Sequence, residues 1–561
     1  MISIRSSIVC GLAMWCGMHA TAQDRRSVFE QVPVGAEAVV AIPNLKRAND
    51  EFVAVMEGMD RVQLLFGGRP LDQLKLMTGF QSGVDELGGM LVAAVPGADG
   101  TLGRLLVVPV TDPEGFFAAN FDATDEANRW THSSGVTMFG RADGAYALLS
   151  DDFATFDSYE RDPGWLDRLQ EAMGPRTMPL LNRGEIIIHG SSAMMQRIVG
   201  QMQQQAAEQI DIQRDQIPDL AEANRWMNWL GRVLGQDEMA AALGSLVIIN
   251  VDPLGLGVHT LTAFDPESSL GRLAAGGTRQ RDHFSRLPNR PFYIAASVDV
   301  VGMGGIDMAE RLVADLFPFP GWLRGVDGMQ FGVSPSVLGL QGGLLNEGVV
   351  VWETRDPASA VAAMREQIMT PRAPGDEVER TPSWTSRLRE IEGIHVDGFE
   401  VKATYTTAQA LQETIESLVF GRRGFHGLVG TARDLMIVTF SQRPDVFARV
   451  LQIGGEARAL NENAMVRSIR TWLPPDADLE VFIGVGEIGR LLGQLANNPL
   501  LSGLEIPQID PRTRPVAFGM SVQDGRIETA VVIPADVLTL FIDLGLTQAF
   551  RADGAAADMM R

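Results

Sequence analysis

PVTDPEGFFAAN, residues 109–120, packs a strand end, a Pro step and two carboxylates into one short stretch. The apolar run Leu105 to Val110 stops at Thr111-Asp112-Pro113-Glu114, and a new apolar pattern begins. Asp112 is either a reactive carboxylate or a helix cap. An N-cap aspartate accepts a bond from an orphan amide, a proline at the next position gives up no needed donor, and a first-turn glutamate complements the helix dipole. The punctuation returns at Asp265-Pro266-Glu267 and at Asp356-Pro357, each time after a strand-like run. All three aspartates are therefore expected to cap helices.

The segments around these joints repeat. The run 38–42 (AVVAI) reads as a buried strand, and Asn44 as a cap. Leu45, Ala48, Phe52, Val55, Met59, Val62 and Phe66 then fall on one helical face. Strands at 90–95 and 104–110 follow across a Gly/Asp-rich turn. A second copy begins at 185–189, with Ser191 or Ser192 as cap and a hairpin at 245–250 and 257–264. A third runs from 292–297, through a helix around Met308, Leu312, Val313 and Leu316, to strands at 329–334 and 348–353. The fourth starts at 479–483, carries Ile488, Leu491, Leu492 and Leu495 as a helix stripe, and closes with a hairpin over 516–533 turned at Asp524-Gly525. Extra strand–helix pieces at 145–156 and 435–451 follow copies one and three only.

This order predicts an α+β fold: four ferredoxin-like β-α-β-β-α units with antiparallel sheets and helices on one face, arranged as two similar halves, 23–280 and 285–550. Residues 551–561 are expected to be a disordered tail.

The first residues read as a secretory signal. Arg5 is followed by an apolar stretch, Ile8 to Met18, too short to span a bilayer, and Ala20-Thr21-Ala22 places cleavage after Ala22. Cys10 and Cys16 also raise a lipoprotein reading, but neither follows small residues; Trp15 precedes Cys16. Both cysteines leave with the signal, so the mature chain is expected to hold no disulfide and no Cys-based metal site or nucleophile. The balance is acidic, 70 Asp and Glu against 47 Lys and Arg, and no basic run marks a phosphate-binding face. Nucleic acid is an unexpected partner, and the run at 529–546 is too broken by Asp536 and Asp543 to cross a membrane. The expected location is the periplasm, the cell envelope or the extracellular space.

Several constellations were weighed for chemistry. Gly484-Val485-Gly486-Glu487-Ile488-Gly489 is a full G-x-G-x-x-G after a strand and at a helix start, but no acidic strand end follows about 20 residues on, where a ribose partner belongs. His189 ends a strand beside Ser191 and Ser192, where a nucleophile could be activated; no G-x-S-x-G elbow occurs, and the serines read as ordinary caps. His259 and His395 sit in strand-like runs, Asp151-Asp152 lies between a strand and a helix, and the loop acids Asp122, Asp125 and Glu126 lack calcium-loop spacing. No cofactor, metal site or catalytic residue is assigned. Phe317, Phe319 and Trp322, in the loop DLFPFPGWLRG (315–325), are the candidate partner contact, because aromatic anchors dominate interfaces. A Gln-rich helical insert, 194–216, is a second candidate surface.

Pro33, Gly35-Ala36, the strand 38–42 and Asn44, then VPVTDPEGF (108–116) and GAYALLSDD (144–152), resemble the exported bacterial proteins grouped under domain of unknown function 3352. The resemblance implies an exported repeat protein and carries no catalytic residues. The expected function is non-enzymatic: an exported binding or envelope-structural protein. The alternative is a hydrolase with its site in a cleft between the halves.

Overall fold

The computed structural model describes residues 26–57, 69–80, 82–97, 100–198, 200, 241–275, 282–303, 325–370, 378–405, 410–496 and 509–540. Outside them lie the signal region, the stripe positions Met59, Val62 and Phe66, the third-copy helix, Phe317, Phe319 and Trp322, most of the Gln-rich insert, and the C-terminal tail. The fold is α+β, and every strand pairing with a resolved register is antiparallel. The chain divides into two compact units. The first comprises Met1–Arg272, Gly525–Glu528 and Ile533–Arg561; the second comprises Leu273–Asp524 and Thr529–Val532.

In the first unit, β1 (Ala38–Ile42), β2 (Met90–Pro96) and β3 (Leu102–Pro109) pair in sequence order. Then come β4 (Phe121–Ala123), β5 (Arg129–His132), β6 (Thr137–Asp143) and β7 (Tyr146–Ser150), followed by β8 (Ile186–Ser191), β9 (Ala242–Asp252) and β10 (Gly255–Phe264). The pairings give the order β4-β5-β6-β7-β3-β2-β1-β8-β9-β10.

The second unit contains β11 (Ile294–Asp299), β12 (Val326–Val333), β13 (Gly348–Thr354), β14 (Glu379–Ile391), β15 (Ile394–Thr404), β16 (Phe425–Ala432), β17 (Leu435–Thr439), β18 (Leu479–Ile483) and β19 (Val516–Gln523). Its order is β14-β15-β16-β17-β13-β12-β11-β18-β19, and β19 pairs next with β20 (Arg526–Pro534). Strand for strand, this is the order of the first unit.

Two expectations need correcting. The ferredoxin-like crossover is not what the strands adopt: β1 lies directly beside β2 and antiparallel to it, with Val40 opposite Val92. One helix between two strands returns the chain to its starting end and favours a parallel pair. Among its described residues the connection holds Leu45–Glu57 and also Pro70–Thr78, a helix not expected from the sequence, and the chain enters β2 antiparallel to β1.

Nor do helices cover only one face in the first unit. Ile42, Val108, Ile186 and Val251 point into one apolar core, with Leu45, Leu71 and Phe116 from helices on that side. Val39, Ala41, Leu105, Val107, Ile187 and Ile248 point into another, against Val28, Trp165, Leu169 and Leu181. A strand buried on both faces needs a continuous apolar run rather than alternation, and AVVAI and LGRLLVVP have that composition.

The caps follow in detail. Asp112 accepts from the Gly115 amide and Asp356 from the Ser359 amide, each ahead of a helix with Pro at its first position. Asp152 caps Phe153–Asp157 through the Thr155 amide. Asp265 differs: its Oδ1 accepts from Glu267 in a tight turn, and Ser268 Oγ accepts from Gly271 to start the helix Ser269–Ala274. At the turn of the last hairpin Asp524 (φ 52°) and Gly525 (φ 74°) are both left-handed, the geometry that a two-residue hairpin loop asks of Asp-Gly.

Candidate functional site

The second unit holds a cavity of about 170 Å³, where the approach to β11 meets the starts of two helices. Its apolar wall is Pro291, Phe292, Val466, Pro511 and Pro515, with Met465, 40% exposed, among its lining residues. Arg290, Asn463, Glu487 and Thr513 supply its polar groups.

Local rules place each of these. Asn463 caps the helix Ala464–Arg470, accepting from the Met465 and Val466 amides, while its Nδ2 donates to Asn289 Oδ1 at 2.9 Å. Gly484 opens the helix Val485–Ala496: its carbonyl accepts from the Glu487 and Ile488 amides, and its own amide donates to Tyr293 O. Glu487 in the first turn is buried, and burial pushes its carboxyl above the usual range against the pull of Arg490, whose Nη1 lies 3.0 Å from Oε2. No hydrogen bond of good geometry reaches that Oε2.

Beneath the cavity, Arg290 turns away into a buried charge network. Its Nη1 donates to Glu347 Oε2 at 2.6 Å; Arg443 pairs with Glu347 Oε1, and Arg443 and Arg449 both reach Asp445. The Glu347 side chain is 0% exposed. A carboxylate taken wholly out of water is tolerated only with such partners. Neither Glu347 nor Glu487 was singled out from the sequence, because each finds its neighbours through the sheet. The signal available was a glutamate directly before a glycine-led strand (Glu347-Gly348) and a glutamate in a glycine-rich helix start.

The G-x-G-x-x-G lines this cavity, yet its glycines serve the chain's own packing. A methyl at Gly484 would run into the Phe292 carbonyl, one at Gly486 would lie 2.7 Å from the Asp510 carbonyl oxygen, and one at Gly489 would strike Ile509. The close approach that a pyrophosphate would use is occupied by residues 509–511.

In the first unit the residues considered for nucleophilic chemistry have partners of their own. His189 Nδ1 meets the Ser245 carbonyl at 3.2 Å, the ring edge faces Trp165, and burial pushes the imidazole down to about 4. Ser191 Oγ accepts from the Met194 amide as a cap. His259 is buried as well, with its pKa pushed down to about 4 by burial and by Arg183 and Arg176. His395 stands opposite Glu390 in the β14–β15 hairpin. Asp151 is exposed beside the cap Asp152. Among the described residues, no group of three or more His, Cys, Asp or Glu could hold a metal ion, and no helix is long and apolar enough to cross a membrane.

Fold and site thus define an α+β protein with antiparallel sheet pairing in both units and a small cavity in its second. No family model matches the chain, and no curated protein does. Two solved structures match, crystal forms III and I of TP0453. They are 9% and 10% identical, each match covers 47% of this chain and 98% of the other, and the TM-scores are 0.22 and 0.21.

Proposed function

We propose that this chain is an exported, internally duplicated binding protein that uses the cavity of its second unit to hold a small ligand, and that it belongs with the domain-of-unknown-function 3352 proteins it resembles. The cavity carries the reading. It combines an apolar wall with a few convergent polar groups, as ligand sites do, and about 170 Å³ is room for a molecule of benzene size. The shared strand order of the two units supports duplication: a piece of three antiparallel strands, used twice in each half.

The test of binding is calorimetry and ligand-observed NMR of the full chain with a set of small aromatic and aliphatic probes. Met465→Trp, at the exposed rim, fills the cavity mouth and is expected to abolish any signal while the melting profile stays cooperative. Binding that survives the filled cavity refutes the site. Export rests on Arg5, the apolar run and Ala20-Thr21-Ala22. N-terminal sequencing of the envelope or secreted fraction is expected to begin at Gln23; an intact Met1 in the cytosol contradicts export.

A further inference from the structure

Resting on the cavity reading above, we infer that the ligand is a compact molecule with an apolar body and a protonated amine, its ammonium group donating to Glu487. Three observations converge. The wall formed by Phe292, Val466, Pro511 and Pro515 suits a ring or short alkyl chain, and the volume limits the body to about six to eight heavy atoms. Glu487, more than nine-tenths buried, lines the cavity; its Oε2 lies beside Arg490, while Oε1 accepts no hydrogen bond from the described residues, and a carboxylate oxygen in that state gains most from a charge-assisted bond. Its existing neighbour, Arg490, is about half exposed and leaves the other lone pairs of the carboxylate to be met from the cavity side.

Competing charges were weighed. Arg290 also lines the cavity and would repel a cation. Its guanidinium, however, is bonded to Glu347, which no solvent reaches. A carboxylate ligand would have to displace that pair and face Glu487 as well. The helix start at Gly484 favours an anion through its dipole, but a first-turn glutamate already occupies that field. At long range, a formal charge of −23 favours the approach of cations.

Benzylamine, benzyl alcohol and benzoate share one ring and differ only in the polar group, so they separate this inference from the reading beneath it. In titrations of the full chain at neutral pH, benzylammonium is expected to bind most tightly and benzoate least. Glu487→Gln is expected to weaken benzylammonium about tenfold and to leave benzyl alcohol within about twofold. Met465→Trp, at the exposed rim, and Val466→Trp, within, are each expected to weaken both, so the result survives if one variant fails to fold. If benzoate binds as well as benzylammonium, or if Glu487→Gln leaves the amine unaffected, the amine inference is wrong while the cavity reading stands. If none of the three probes binds, both fall.

Discussion

The two units run the same strand order, yet the buried acid that leads into the strand beside their first strand is given different neighbours. In the first unit Glu185 precedes β8; in the second Asp478 precedes β18. Both are buried, and both amides close the ladder, Glu185 onto Ile249 O and Asp478 onto Met520 O. Glu185 is answered by Arg47, whose guanidinium is only 13% exposed, yet burial, with Glu51 and Asp252 nearby, still pushes the Glu185 carboxyl up to about 8. Asp478 faces another acid: burial, with Asp299 and Asp476 nearby, pushes its carboxyl up to about 7, against one bond from the Val522 amide. The sheet dictates that a chain turns here; it does not dictate which charge the turn carries. Connections diverge in the same manner. Between β2 and β3 the Gly97 amide bonds Thr101 O across a short connection, whereas 334–347 join β12 to β13 and bring in Glu347.

The largest expected effect lies in that divergent connection. Glu347→Ala leaves Arg290 and Arg443 facing each other without their shared carboxylate, and breaking a buried pair costs about 3–5 kcal/mol. Arg290 and Arg443 retain some solvent access, so the lower end, about 3 kcal/mol, is expected. Hydrogen exchange should locate the loss: amides of β13 become labile while those of β3 keep their protection. Equal loss in both would show that the units do not melt separately, and no loss would show that the network adds nothing to stability.

The buried acids sharpen the contrast at alkaline pH. Asp478, about 7 when folded against 3.8 ordinarily, holds its proton more tightly in the folded state. Its contribution is full below pH 4 and is lost as the pH rises towards 7. Asp478→Asn cannot ionise, so at pH 8 it is expected to be more stable than the parent, on the order of 3 kcal/mol, and about equal at pH 4. Burial pushes Glu185 up as well, to about 8, so Glu185→Gln at pH 8 is expected to shift the same way but by less, because Arg47 loses its carboxylate inside the protein. Denaturant midpoints at the two pH values decide it. If Glu185→Gln gains as much as Asp478→Asn, Arg47 makes no difference between the two joints.

What the sequence disclosed follows the range of the forces involved. Strands such as AVVAI and the caps Asp112, Asp152 and Asp356 are set by neighbours within a few residues, and they were legible. The hairpin β14–β15 was not. Its outer strand ERTPSWTSRLREI is largely polar, carries Pro382, and slips register near Arg387 (φ 49°). Its turn is Glu392-Gly393, a pair without the strong signal of Asn-Gly or Asp-Gly. Burial on both faces of the first sheet was implied by the unbroken apolar runs, but periodicity alone does not say what covers the second face. The charge networks were hidden for a different reason: Arg290, Glu347 and Arg443 lie far apart in sequence, and only strand register brings them together.

The smallest expected effect concerns the one Asp-Pro joint that departs from its counterparts. Asp112 and Asp356 bond the amide three residues on, as N-caps do, whereas Asp265 bonds the amide two residues on and leaves capping to Ser268. The same letters thus start a helix twice and make a turn once. A serine stands three residues after both Asp265 and Asp356, but Ser359 donates its hydroxyl to the Asp356 carboxylate, whereas Ser268 donates to the Asp265 carbonyl and closes the turn before the helix begins. Ser268→Ala is therefore expected to lower stability by about 1 kcal/mol, since the Gly271 amide loses its acceptor. Asp265→Ala should cost less than half of that, because the Glu267 amide is exposed and water replaces the lost bond. Denaturation of the two single variants and the double variant measures both terms. If Asp265→Ala proves the more costly, the Asp-Pro rule holds at all three joints, and the turn at Asp265 is then no exception to it.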